Sequence, residues 1–125
     1  MDWEKSSAEL AALFDAIAPT GAGIERKKMF GWPCCFVNGN LFTGLHKQSM
    51  IFRLSEKDLA AIIEIDGAAE FEPMPGRKMK SYAILDNPLA RDRKELAKWM
   101  ARSLAYVSAL PPKEKKTSKG AKKKG

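Results

Sequence analysis

The chain has one histidine, two cysteines and no long apolar run, and each shortage removes a class of function. No stretch approaches the roughly 18 consecutive apolar residues that a membrane-spanning helix needs, so no membrane partner is expected. The opening Met1-Asp2-Trp3-Glu4-Lys5 lacks the charged-then-apolar layout of a secretory signal, and a cytoplasmic location is expected. Cys34 and Cys35 are adjacent, and neighbours on a strand point to opposite faces, so they do not form a disulfide framework and suit a reducing compartment. Two cysteines and one histidine are too few to assemble a structural zinc site, which takes four such ligands, within one chain. His46, with no partner motif beside it, excludes most histidine-based catalysis and reads as a surface or half-buried polar position. The glycines spell neither GxGxxG nor GxxxxGK(S/T), so no phosphate-cradling loop is expected. Glu64, Asp66, Glu70 and Glu72 flank a helix end and a loop and read as solvated charge. No catalytic, cofactor-binding or metal-binding residue is expected.

What the chain does have is lysine, in one place. Its formal net charge is +7 over 125 residues. From Pro111 to Gly125 there are seven Lys and one Glu, leaving the preceding 110 residues at +1. The tail contains no apolar side chain larger than Ala beyond its two prolines and cannot offset the entropy of folding, so it is expected to be disordered. A folded body over 1–110 and a basic tail over 111–125 follow, and 45% hydrophobic content is ordinary for such a body.

Inside the body the strongest local signal is Asn38-Gly39, flanked by strand-forming residues and predicting a two-residue hairpin turn. That turn pairs Phe36 with Leu41 and Cys34 with Thr43 on one face, and Val37 with Asn40 and Cys35 with Phe42 on the other. Both faces are substantially apolar, whereas a sheet with one wet face alternates more cleanly. Cys35, Val37 and Phe42 are therefore expected on a second face that something covers, an interface for a homodimer or for an unidentified protein partner. Of the two thiols, one is expected in the core and the other at an edge or interface.

Around this ribbon, Ser6 and Glu9 read as a capping box opening a helix over 6–18, with Leu10, Leu13, Phe14 and Ile17 at helical spacing. Residues 24–30 read as a first strand, Pro33 as a strand edge or start, and Gln48-Ser49 as a turn into a short strand over 50–53. Ser55 and Asp58 begin a second helix that carries Leu59, Ile62 and Ile63 and ends near Asp66-Gly67. The breaker-rich 71–76 segment reads as an irregular surface loop. Residues 79–85 alternate as a last strand. The longest helix is expected over 92–109, with Leu96, Trp99, Met100, Ser103, Leu104 and Val107 on one face. The order α-β-β-β-β-α-β-α predicts an α+β, two-layer fold with a mostly antiparallel twisted sheet. There is no internal repeat.

Met29-Phe30-Gly31, Asn38-Gly39-Asn40-Leu41-Phe42, Phe52-Arg53-Leu54, the loop over 71–77 and Trp99 together resemble the N-terminal domain of the TfoX/Sxy competence regulators and its stand-alone relatives, over about residues 20–110. The resemblance implies a fold similar to the secretion-chaperone class, a bacterial and cytoplasmic protein, and a module without catalysis. In the regulators a helical C-terminal domain follows; here only the lysine tail does. The family pattern carries no catalytic residues onto this sequence.

Three functions fit the residues. The first is a non-catalytic interaction or regulatory module that forms a homodimer. The second is an accessory, weak and non-specific nucleic-acid binder acting through Lys113, Lys115, Lys116, Lys119, Lys122, Lys123 and Lys124, since lysine contacts phosphates without reading sequence. The third is a ligand pocket around Trp32, Cys34 and His46.

Overall fold

The computed structural model describes residues 6–29, 31–72, 76 and 81–111. Among these residues, three helices lie against a six-stranded antiparallel sheet. In chain order the elements are α1 (Ala8–Ile17), β1 (Ile24–Met29), β2 (Trp32–Val37), β3 (Asn40–His46), β4 (Ser49–Arg53), α2 (Glu56–Ile62), β5 (Ala68–Glu70), β6 (Tyr82–Leu85) and α3 (Arg93–Ser108), with a short 3-10 turn at Pro88–Ala90. The sheet order is β1-β2-β3-β4-β6-β5. This is the α+β architecture expected from the sequence, with one added strand. β5 is only three residues long and has no alternation to betray it. It forms because β6 offers a free edge, which Ala68, Ala69 and Glu70 pair opposite Leu85, Ile84 and Ala83.

Local chemistry sets the helix ends. α1 is capped by Ser7 rather than Ser6: the Ser7 hydroxyl accepts from the Leu10 amide at 3.1 Å. Ser6 is used differently, donating to the Lys47 carbonyl and so fastening the start of α1 to the β3–β4 turn. Ser55 caps α2 by accepting from the Asp58 amide, and the Asp92 carboxylate caps α3 by accepting from the Lys94 amide. Each cap satisfies an amide that the helix cannot, typically worth about 1 kcal/mol.

The hairpin forms where Asn38-Gly39 predicts it. Both residues take positive φ, 51° and 84°, the left-handed pair that matches the twist of the flanking strands. Phe36 pairs with Leu41 and Val37 with Asn40, as expected. Beyond that the register shifts: Cys35 faces Thr43 and Cys34 faces Gly44, so Phe42 is an extra residue in β3. Such a bulge places two consecutive residues on one side of the sheet. The pairing of Cys34 with Thr43 expected from a regular ladder is thereby replaced. The next turn lies at Lys47-Gln48, one residue earlier than Gln48-Ser49, and β4 starts at Ser49.

One face of the sheet meets the helices. Leu10, Leu13 and Phe14 of α1, Ile62 of α2, and Leu96, Trp99, Met100 and Val107 of α3 close over Cys35, Val37, Phe42, Leu45, Met50, Phe52, Ala83 and Leu85. Cys35 and Phe42 are 0% exposed and Val37 4%. The surface role expected for these three is therefore corrected: they form the core face, and the helix-free face is the other one. Both rows are apolar, so alternation alone could not tell which of them the helices would choose.

α3 also repairs the bulge. Ser103, fully buried, places its hydroxyl 2.5 Å from the Phe42 carbonyl and 2.7 Å from that of Arg53, sharing its proton between them. Arg102 of the same helix pairs with Asp58 of α2 at 2.9 Å. At the other end the Asn40 side-chain amide donates to the Pro111 carbonyl at 3.0 Å, holding the end of the described chain beside the hairpin turn. Phe30, most of the 73–80 segment and the lysine tail lie outside the described residues, and with them the expected disorder of 111–125 and the start of the last strand at Met79.

Candidate functional site

Strand alternation, carried through the bulge, assigns Trp32, Cys34, Phe36, Leu41, Gly44, His46, Ile51, Tyr82 and Ile84 to the helix-free face. Their pairing confirms it: Phe36 opposite Leu41, Cys34 opposite Gly44, Gly44 opposite Ile51, and Ile51 opposite Ile84. Phe71, just past β5, joins them and packs with Ile51 and Tyr82 in a second apolar cluster bordered by Leu41 and Ile84. Phe36, Leu41, His46 and Ile84 are only half-buried. Gly44 is in the middle because nothing larger fits: a Cβ there would fall 2.8 Å from Cys34 Cβ and 3.2 Å from the Pro33 carbonyl.

At one side of this face three rings are packed in a row. Trp32 and His46 have centroids 4.8 Å apart at 55°, and His46 and Phe71 5.0 Å apart at 72°, the tilted and edge-on geometries that aromatic quadrupoles prefer. A planar ligand cannot enter between rings at those separations. Trp32 and Phe71 are each 5% exposed, and Trp32 also touches the main core. The pocket expected around Trp32, Cys34 and His46 is thus a packed cluster. The Tyr82 hydroxyl donates to the Leu41 carbonyl at 3.1 Å, and burial raises its pKa. Cations border the apolar surface: Lys27 lies 5.1 Å over the Phe36 ring and Arg53 5.7 Å over Tyr82.

Both cysteines are buried and free: Cys35 packs in the main core, and Cys34 lies on the helix-free face opposite Gly44. Burial is the main reason the Cys34 thiol is pushed up from 9.0, the ordinary value, to about 11; Cys35 adds to the rise, while Lys27 and Arg26 oppose it. Burial likewise raises Cys35. The Cys34 thiol donates to the Lys27 carbonyl at 3.4 Å, which favours its protonated form. Because the thiolate is the nucleophile, iodoacetamide should label native Cys34 far more slowly than the urea-unfolded chain at pH 8, with a rate still climbing between pH 9 and 10. The linkage follows the same sign: the unfolded thiol ionises first, so stability falls as pH rises from about 9 towards 11. Mass spectrometry of alkylated protein checks this, and rapid native labelling at pH 7 would contradict it.

Among the described residues, no group of three or more His, Cys, Asp or Glu comes together as a metal site would require. Among the same residues, no helix is long and apolar enough to cross a membrane. The expected tail contacts, Lys113 to Lys124, lie outside the described residues.

Taken from its geometry, this is a two-layer α+β module whose helices cover one side of the sheet and whose other side offers an apolar, cation-bordered surface. A family model described as the TfoX N-terminal domain matches residues 15–107, from the second half of α1 to the last buried residue of α3. The chain belongs to the TfoX N-terminal domain family. No curated protein and no solved structure matches it.

Proposed function

We propose that this protein is a non-catalytic interaction and regulatory module, comparable in role to the domain of the competence regulators for which its family is named, and that it works as a homodimer. The observation behind this reading is the helix-free face, where half-buried Phe36 and Leu41, paired across β2 and β3, and half-buried Ile84 of β6 stand around Ile51 and Tyr82, which are themselves buried. A face of this kind is self-complementary: apolar rows need no opposite charge across a two-fold axis. Phe36, Leu41 and Ile84 are the side chains of that face left for a partner to cover, while Trp32, Phe71 and Tyr82 are already buried within one chain. Light scattering at tens of micromolar should give twice the mass of one chain. Ile84→Lys, which puts a charge in the middle of the half-buried row, should return the protein to a monomer with an unchanged far-ultraviolet spectrum. A wild-type monomer throughout that range would defeat the dimer.

A second reading has its own observation, the concentration of charge in the tail. Seven lysines within residues 111–125 supply enough counterion release for sequence-independent binding to nucleic acid. Engagement of about six phosphates would give a slope of roughly −5 in log K against log salt on duplex DNA. Removing 111–125 should abolish that affinity and leave the body folded, apart from the lost bond between Asn40 and the Pro111 carbonyl. Equal DNA binding by full-length and truncated protein at low salt would defeat this second reading.

A further inference from the structure

Among the described residues β1 is an edge strand, paired on one side only, with β2. The phase of that ladder can be read from one bond. The Asn38 amide donates to the Gly23 carbonyl at 3.0 Å, so Gly23 and Asn38 form a hydrogen-bonded pair. Hydrogen-bonded and non-hydrogen-bonded pairs alternate along an antiparallel ladder. Glu25, Lys27 and Met29, opposite Phe36, Cys34 and Trp32, therefore turn their N–H and C=O groups inward. Arg26 and Lys28 turn theirs outward, away from the sheet. Every residue from Glu25 to Met29 is exposed. This is a strand-length row of backbone donors and acceptors that another extended chain can pair with.

The side chains say which chain. Arg26 and Lys28 rise on the side facing α1, next to a shallow trough bounded by Ala11, Asp15 and Pro33. Arg26 is held there by Asp15. Lys28 makes no ion pair among the described residues. On the opposite side stand Glu25, Lys27 and Met29: Lys27 is paired with Glu25 at 3.7 Å, and Met29 is 40% exposed. A second copy pairing β1 with β1 would set Arg26 and Lys28 against their own counterparts, and like charges directly opposite one another destabilise a sheet. Lysine-rich edges are a common guard against such self-pairing. The same cations attract an acidic strand.

We infer that the β1 edge accepts an extended acidic segment of a partner protein as a seventh strand, with acidic residues opposite Arg26 and Lys28 and apolar residues opposite Lys27 and Met29. In that register the acidic residues form the hydrogen-bonded pairs, so their amides face β1. The apolar residues lie in non-hydrogen-bonded pairs, beside Met29 and the methylene stem of Lys27. This inference rests on the interaction-module reading but uses a different surface from the dimer contact.

The test uses the full chain and a fluorescein-labelled hexapeptide of alternating glutamate and valine. Anisotropy should show saturable binding that weakens with added salt, and Lys28→Glu should weaken it at least tenfold. N-methylation of the glutamates should abolish binding, whereas N-methylation of the valines should leave it within about twofold. In amide exchange the free protein should show fast Arg26 and Lys28 and slow Lys27; peptide should slow the first two. Equal binding by both N-methylated peptides would mean simple charge attraction and overturn the inference, as would the absence of binding at millimolar peptide. It is overturned too if a short DNA duplex protects the same two amides, which would make the edge a phosphate surface. Light scattering reads the helix-free face and amide exchange reads β1, so failure of either leaves the other result standing.

Discussion

Phe52→Ala should lower the stability of the folded body by about 3–5 kcal/mol, the usual cost of emptying a fully buried phenylalanine site. Phe52 is 0% exposed and sits on β4, between Thr43 of β3 and Ala83 of β6, on the face that α3 crosses. Small neighbours make the loss worse. Ala83 cannot grow into the space, and Thr43 is tied in place by its hydroxyl, which donates to the Ile51 carbonyl at 2.7 Å. Domains of this size are stable by roughly 5–15 kcal/mol, so the variant should be marginal at 37 °C. Urea unfolding followed by tryptophan fluorescence measures it. A midpoint within experimental error of wild type would mean the layer between α3 and the central strands is not packed as described.

The second large effect is expected at Ser103. Replacing it with valine removes the only hydroxyl that reaches the Phe42 and Arg53 carbonyls among the described hydrogen bonds, and inserts an extra methyl at a fully buried position. A buried carbonyl left without a donor costs about 1–3 kcal/mol, and overpacking a similar amount. Ser103→Val should therefore cost about 2–5 kcal/mol. Ser103→Ala, which drops the hydroxyl without adding bulk, separates the two contributions and should cost about 1–3 kcal/mol. Parallel urea titrations of the two variants decide it. If Ser103→Ala behaves as wild type, the bulge carbonyl has another donor and the role given to α3 is wrong.

These two sites differ in how visible they were beforehand. Phe52 lies in Phe52-Arg53-Leu54, an apolar strand end before a capped helix, and its burial follows from pattern alone. Ser103 was legible only as a small polar residue on the apolar stripe of the last helix. Its purpose depends on the bulge at Phe42, and nothing in the two-residue turn chemistry of Asn38-Gly39 demands a bulge further along the strand. The turn controls register only as far as the ladder remains regular.

The interaction face shows the same boundary. Which residues share a side near the turn was readable: Phe36 with Leu41, Cys35 with Val37 and Phe42. Which side would be covered was not, because both rows are apolar and hydropathy cannot rank two apolar faces. The choice is made by the connections. β4 and β5 run parallel with β6 between them, and α2 must cross from one to the other; such crossovers are right-handed in nearly all proteins, which ties the helix to one side of the sheet. Once α2 is there, α1 and α3 complete that layer, and Cys35, Val37 and Phe42 become core.

By itself, then, the sequence determined the three helices and the caps of the last two, the hairpin and its turn, the near-neutral body and the lysine tail, all of which depend on residues close together in the chain. The tertiary structure alone decided the bulge in β3, the three-residue β5, the face left without helices and the open, cationic edge at β1. Each of those depends on which strands become neighbours, and neighbours in a sheet are set by long-range pairing and crossover handedness rather than by local preference.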